Sequence, residues 1–370
     1  MRVLLFIGMA DLLLTGLTLF YYNKVFALGK RMGLVLFYVL LSMSIVISRV
    51  LPESSPWWLE SCIGYVSGCW LAFLFYSFLV SIIHFLFWMC SFCLSKSVPR
   101  QVDIVLLTGA LFLCLWGVWQ TVHPVIRREV IVTPKFTERQ SLRLALVSDI
   151  HLGRTLGIAH AERVVQLLNS CDPDVIIMAG DLLDERQSYV DKSGALEIFR
   201  RLKSRYGSFL IFGNHDYFDR PELWRQKVEQ CGIKVLENES CVLTEGVRLV
   251  GLKDFSRENG TVFLKRLAEY PETYKVVVDH QPRRIWQAAR AGYDLYLAGH
   301  THTGQLFPNR IITRMLYPLD YGRGSFGGMT GIVSSGIGYW GPPVRSSEAP
   351  EVVLIEITGQ NNNITLSVGK

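Results

Sequence analysis

Residues 294–304 read DLYLAGHTHTG. The apolar run from Tyr293 to Ala298, broken only by Asp294, is too short for a buried helix and reads as a buried strand. It ends on two imidazoles, His300 and His302, separated by Thr301 and bracketed by Gly299 and Gly304. In open α/β sheets, ligands bind beyond the carboxyl ends of the strands. A strand that stops on paired histidines therefore raises the question of what other strands deliver to the same place.

Outward from this stretch the same design recurs. LRLALVSD (142–149) reads as a strand, followed by a helix over 159–170. DVIIMAGD (174–181) is a strand, 191–204 a helix, and SFLIFGNHD (208–216) a strand. VRLVGLKD (247–254) and YKVVVDH (274–280) precede the opening stretch, with helical patterns at 261–269 and 282–291. TGIVSSG (330–336) and EVVLIEI (351–357) are the last strands. Alternating strands and helices predict an α/β layered fold. Nearly every strand ends in a polar cluster: SDIH, GDLLD, GNHD, DHQP and GHTH.

These clusters contain Asp149, His151, Asp181, Asn214, His215, His280, His300 and His302, which include five of the eight histidines. Each motif alone is weak; a GD at a strand end is most often a turn or helix cap. Taken jointly, in order and each at a strand end, they point to one shared site. Carboxylate, imidazole and amide oxygen without thiolate suit Mn, Fe, Zn or Co.

The chain has 370 residues and half of them are apolar, a high share for a soluble protein. The apolar excess lies in residues 1–122. A membrane-crossing helix needs about 20 apolar residues, and four stretches qualify, near 3–22, 33–51, 66–92 and 103–122. The expected organisation is four transmembrane helices over 1–122, a polar linker over 123–142 and a catalytic domain over 143–370. Lys24, Lys30, Arg31, Lys96 and Arg100 lie in loops that the positive-inside rule assigns to the cytoplasm. The chain is then expected to be a multi-pass protein of an inner or plasma membrane, with the domain extracytoplasmic, although Arg127 and Arg128 argue the other way. Asp11 and His84 fall inside predicted spans, where interhelical polar contacts are the ordinary explanation. Trp57, Trp58 and Trp119 fit interface anchors. Of the eight cysteines, Cys231 and Cys241 could pair or simply pack. The net charge of +6 suits an anionic substrate or lipid surface, and is too small to imply nucleic acid.

The series DxH, GD, GNHD, H, GHxH resembles the calcineurin-like metallophosphoesterase family over residues 143–357. SSGIGYWGPPVR followed by PEVVLIEI resembles its membrane-attached YkuE/YaeI-type bacterial branch. Thr303 stands where that branch often has glycine. The resemblance implies a four-layer sandwich of two mixed β-sheets flanked by helices, with two metals at the strand ends. By position, Asp149, His151 and His302 would bind one metal, Asn214, His280 and His300 the other, and Asp181 would bridge them. Two divalent ions roughly 3.5–4 Å apart neutralise phosphate charge and activate a bridging hydroxide. His215 would protonate the leaving oxygen, with Asp216 a candidate to orient it. Asp184 and Glu185 follow the bridging aspartate and could reach the site, with a solvated helix start the ordinary reading. Arg154, Arg323 and Arg345 are candidate phosphate ligands or surface ion pairs.

The function expected is a membrane-anchored dimetal phosphoesterase acting on a phosphodiester or lipid-linked substrate, with membrane lipids as neighbours. One alternative is a UDP-2,3-diacylglucosamine-type pyrophosphohydrolase of lipid A synthesis. Another, of a different class, is a non-catalytic membrane sensor or transporter with a metal-binding domain.

Overall fold

The structure, a computed structural model, describes residues 13–23, 32–52, 54–93, 99–258, 263–264 and 272–360. Asp11, most of the helical pattern at 261–269 and the basic loop residues Lys24, Lys30, Arg31 and Lys96 lie outside them. The chain divides into two compact units. One comprises Met1–His123 with Tyr339–Ser347, the other Pro124–Gly338 with Glu348–Lys370.

The first unit is helical. Residues 13–23 form α1, followed by α2 (Met32–Val50), α3 (Trp57–Cys93) and α4 (Arg100–Thr121). Two of these, over Trp57–Ser91 and Arg100–Thr121, are long and apolar enough to cross a bilayer, and α2 holds a shorter apolar helix, Val35–Ser48. The helix α3 begins nine residues before the expected span. Pro56, fixed at a φ that suits a helix start, lends its carbonyl to the amides of Leu59 and Glu60. Trp57 and Trp58 thus open a helix rather than sit in a loop, and both are exposed. Buried polar groups pair between the helices. His84 Nδ1 lies 2.6 Å from the carboxylate of Asp103, which also accepts the Tyr21 hydroxyl at 2.8 Å. Trp70 donates to Ser42, and Tyr22 to Ser77.

The second unit holds two six-stranded mixed sheets. In chain order the strands are β1 (Val125–Thr133), β2 (Ser141–Val147), β3 (Val175–Ala179), β4 (Ser208–Ile211), β5 (Ile233–Val235), β6 (Glu239–Thr244), β7 (Val247–Gly251), β8 (Tyr274–Val278), β9 (Leu295–Ala298), β10 (Gly322–Phe326), β11 (Met329–Val333) and β12 (Glu351–Gly359). The first sheet runs β1-β12-β2-β3-β4-β5 and the second β10-β11-β9-β8-β7-β6. The strands β2 to β5 are mutually parallel, as are β7, β8, β9 and β11.

Residues 125–133, expected as part of a linker, instead pair along their whole length with β12. Their charges, Arg127, Arg128 and Glu129, are what an edge strand carries. The helix expected at 191–204 is split: Gly194, in a left-handed conformation, caps α6 (Gln187–Ser193), and a 3-10 turn follows over Ala195–Arg201. The remaining helices are α5 (Ile158–Ser170), α7 (Pro221–Gln230), α8 (Ile285–Arg290) and α9 (Arg310–Leu316). Cys231 and Cys241 are both free.

Alternation along each strand creates three apolar layers. Leu144, Leu146, Ile177 and Ile355 of the first sheet meet Val276, Val278, Leu295 and Ile332 of the second between the sheets. Ala145, Val147, Ile176 and Met178 face the other way, onto Val164 and Leu168 of α5 and Trp224 of α7. Val277 and Tyr296 pack outward against Ile285 and Ala288 of α8. The sheets are thereby clamped on both faces, and the parallel strands of both direct their carboxyl ends into one crevice.

A fully buried ion pair fixes the end of β8. Asp279 receives Arg284 Nη2 at 2.5 Å and Nε at 2.9 Å, and the Tyr296 hydroxyl at 2.7 Å. Arg284 also donates to the carbonyls of Lys253 and Glu258. Removing one member of a buried pair strands the other charge at a cost of about 3–5 kcal/mol. Arg284→Met is expected to lower the thermal midpoint of the full-length protein by about 10 °C, read by scanning calorimetry. A midpoint within about 2 °C of the parent would contradict this role.

Candidate metal centre

Five parallel strands deliver the candidate residues. Asp149 and His151 follow β2, Asp181 follows β3, Asn214 and His215 follow β4, His280 follows β8, and His300 and His302 follow β9. The chain turns abruptly at each end. Asp149, His151, Asp181, His300 and His302 all have positive φ, at 54°, 54°, 54°, 72° and 45°. Such conformations cost side-chain-bearing residues roughly 1–3 kcal/mol each and persist where surrounding bonds impose them. Here the bonds run between the loops: Asp149 N to Gly180 O, His151 N to Asp181 O, Gly338 N to Asp149 O and Gly299 N to His280 O. Gly180, at φ +90°, has His280 packed where a side chain would stand. Gly213 yields its place to the Asp181 carboxylate.

The side chains gather into overlapping groups. Asp149, His151 and His302 form one, and Asp181, His280 and His300 another, with the ligand atoms of each within 4.8 Å of one another. A third joins His151 and Asp181 to His215. His302 Nε2 lies 3.1 Å from His151 Nε2 and 3.3 Å from Asp149 Oδ1. His280 Nε2 lies 3.2 Å from Asp181 Oδ2 and 3.2 Å from His300 Nδ1. The two histidines of the opening stretch therefore serve different groups, and Asp181 stands between. They do so from a 3-10 turn over His302–Gly304 and a left-handed His300, not from an extended strand.

Asn214 Oδ1 is buried and has no hydrogen-bond partner, although buried polar atoms are normally satisfied. His280 donates its Nδ1 proton to the carbonyl of Ala179 at 2.8 Å, which makes Nε2 the nitrogen that a cation would take in exchange for a proton. Lone pairs converging without protons to share fit divalent cations.

The electrostatics agree. Burial opposes a charged His280, yet the Asp181 carboxylate pushes its pKa well above the imidazole range. His300 is driven the other way, to about 4, by burial and by the charge on His280. Burial works to raise Asp149 and Asp181, but the surrounding imidazoles, His302 for the first and His280 for the second, hold both below the usual carboxylate range. The carboxylates thus stay ionised, and protons on imidazole supply the compensating charge that metal ions would bring.

Two acidic residues beside the motifs divide differently from their order in the sequence. Asp216, the candidate to orient His215, has its carboxylate engaged elsewhere. It turns away to accept the amides of Leu183 and Gly213, each at 2.9 Å, and Trp224 Nε1 at 3.0 Å, binding the loops after β3 and β4 together. Burial and the nearby Asp181 charge push its own pKa up to about 7. Asp184, for which the sequence left open both a solvated helix start and the site, reaches the centre. Its carboxylate lies 3.3 Å from His151 Nδ1 and 3.6 Å from His215 Nδ1, and its carbonyl accepts His215 Nδ1 at 2.6 Å. The available signal was the second carboxylate of GDLLD; the segment runs extended along Leu152, through the Leu152–Leu183 bridge, and delivers Asp184 beside His151.

Glu185 and Arg154 pair at 3.4 Å, and Arg154 also donates to the Tyr189 hydroxyl. Arg323 binds Glu129 and the Val130 carbonyl at the sheet edge. Arg345 is wholly buried in the first unit, bonded through its backbone to Gly117 and Gln120. Of the three arginines, only Arg154 lies on a motif loop.

Comparison with known proteins gives the arrangement a family. The pattern for calcineurin-like phosphoesterase matches residues 142–304. A zebrafish (Danio rerio) transmembrane protein with metallophosphoesterase domain is 29% identical over 88% of this chain and 79% of its own. An uncharacterized metallophosphoesterase of Helicobacter pylori (strain 26695) is 29% identical over 78% of this chain and 81% of its own. One of Aquifex aeolicus is 28% identical over 64% and 93%. Together with two helices of membrane-crossing length, the transmembrane relative points to membrane association. The second unit, with its two mixed sheets and its clustered carboxylates and imidazoles, is a calcineurin-like metallophosphoesterase domain, and the chain is a metal-dependent phosphoric ester hydrolase that uses two divalent cations.

Proposed function

We propose that the chain is a membrane-anchored phosphoesterase whose substrate carries its phosphate on or beside a lipid. In this reading Asp149, His151 and His302 hold one cation, Asn214, His280 and His300 hold the other, and Asp181 is shared. The observation that carries it is the two-sided grouping around Asp181, with imidazole nitrogens 3.1 and 3.2 Å apart on its flanks. When bound, the two cations neutralise the phosphate and supply the activated water.

The protein's own residues do the rest. Asp181 accepts the backbone amide of His215 at 2.9 Å, so the shared carboxylate also fixes where the GNHD turn sits. His215 hydrogen-bonds the Asp184 carbonyl through Nδ1, which orients Nε2 as its proton-delivering atom. The Asp184 carboxylate stands 3.6 Å from the same Nδ1, and the departing oxygen takes the proton from Nε2. Arg154, on the loop after His151 and paired with Glu185, is the arginine placed to meet a phosphate oxygen.

The lipid assignment draws on the apolar helices and the transmembrane relative. Loop charges favour an extracytoplasmic domain and four spans. Alkaline phosphatase fused after Gly359 should then be active in cells, whereas activity confined to a cytoplasmic reporter would reverse the orientation and admit nucleotide-sugar lipids made in the cytoplasm.

Loss of a general acid typically costs 10²–10⁴-fold, here about that much in kcat for His215→Ala on an alkyl phosphodiester. The loss should shrink on a nitrophenyl ester, whose leaving group needs no proton, while two metals remain bound by elemental analysis. Equal losses on both esters would assign His215 a structural role. A panel of monoesters, diesters, phospholipids and nucleotide-sugar lipids tests the activity as a whole; turnover of none with Mn²⁺ present would remove the enzymatic reading of this chain.

Metal binding is also expected to displace protons. His280 is held charged in the metal-free protein, and a raised folded-state pKa means that cation and proton compete. Mn²⁺ affinity should therefore rise between about pH 6 and pH 8, with proton release seen by calorimetry in buffers of different ionisation enthalpy. Affinity flat across that window would contradict the ligand set.

A further inference from the structure

The loop that carries His302 continues into an exposed apolar segment, LFPNRIITRML over 306–316, that the catalytic chemistry leaves unexplained. A helix of a folded domain ordinarily hides one face, as α5 does with Ala161, Val164, Val165 and Leu168. By contrast α9 hides none of its residues. Met315 is 81% exposed, Ile311 63%, Leu316 57%, Ile312 55%, and Phe307, just before the helix, 54%. A contiguous apolar surface of this kind marks an interaction site.

We propose that the Phe307–Leu316 segment docks in the boundary between headgroups and acyl chains of an anionic bilayer, holding the metal centre at headgroup depth. Three observations choose lipid as the occupant. Charge is the first: the segment carries Arg310 and Arg314 and no acidic residue, the composition of an interfacial helix drawn to anionic lipid. Arg310 is partly engaged by Glu348 and Asp320, while Arg314 is exposed. The second is proximity. The same chain carries helices of membrane-crossing length, so even weak docking acts at high effective concentration. Geometry is the third, because both ends of the excursion are tied to the metal loop. Gln305 N bonds His302 O at one end. At the other, Thr301 Oγ1 donates to Asp320 O at 2.6 Å, and Thr313 Oγ1 to the Asp320 carboxylate at 3.0 Å. The Tyr317 ring stands edge-on to His300 at 5.9 Å, with the Arg283 guanidinium over it at 4.9 Å. A bilayer gripped by Ile311, Ile312 and Met315 would thus present its phosphates to His300.

This rests on the proposed reading that the substrate is borne by a membrane, and deepens it. The test uses the full chain in nanodiscs of phosphatidylglycerol and phosphatidylcholine, with the photoreactive p-benzoylphenylalanine introduced at position 315 or, as a control, at exposed position 222 on α7. Docking predicts a lipid adduct at 315 several-fold above that at 222. Equal adducts at the two positions, or an adduct at 315 to a second copy of the chain, would overturn it. The combined Ile311→Ser, Ile312→Ser and Met315→Ser variant should lose about tenfold or more in turnover of a vesicle-borne phosphoester while keeping that of a soluble nitrophenyl ester. Equal loss on both would also overturn docking. A lipid adduct at 315 in protein that cleaves no ester would uphold docking and remove the catalytic reading alone.

Discussion

The centre is organised by a shortage of protons. At two places imidazole nitrogens approach within 3.1–3.2 Å around carboxylates that stay ionised despite burial. The buried Asn214 amide oxygen beside them has no hydrogen-bond partner. Added positive charge satisfies these atoms. Protons can supply part of it, as His280 illustrates, but a proton serves two atoms whereas a divalent cation serves four or more. The loops are built to accept this crowding: five ligand-bearing residues take strained left-handed conformations, and inter-loop amide bonds keep them there.

That constraint explains which parts of the molecule were legible in the sequence. Strands β2, β3, β4, β7, β8, β9, β11 and β12 lie inside the sheets and are apolar on both faces, so they read as continuous runs bounded by polar ends. The four strands not anticipated, β1, β5, β6 and β10, are the four sheet edges. Edge strands are short, charged or glycine-rich because they must avoid pairing with other chains. IKV, VIRREVIVT and GRGSF therefore carry no clear signal. The positions of Asp149, Asp181 and the histidines were legible because chemistry had to interrupt an apolar pattern.

Partnership between side chains was not legible in the same way. Asp216 adjoins His215 in sequence and so looks like its partner, yet the 3-10 turn over His215–Tyr217 directs neighbouring side chains apart. Asp216 ends among Leu183, Gly213 and Trp224, while Asp184, from another strand end, takes the place beside His215. Sequence adjacency is a poor guide where a tight turn rotates successive side chains by about a third of a circle. His84 shows the reverse: its interhelical partner Asp103 sits at the start of the next helix, a distance no local pattern encodes.

The two carboxylates that flank the motif pair thus divide the work by environment. Asp184, part exposed, sets its carboxylate 3.3 Å from His151 and 3.6 Å from His215. Asp216, fully buried, meets the charge of Asp181 and leans toward neutrality, so it serves through accepted amide bonds more than through charge. Placing a second full negative charge beside Asp181 would compete for the imidazolium and the cations alike. Stitching the β3 and β4 loops with a carboxyl whose charge is suppressed holds Asp181 and Asn214 in register without weakening the field that the metals and the substrate phosphate must share.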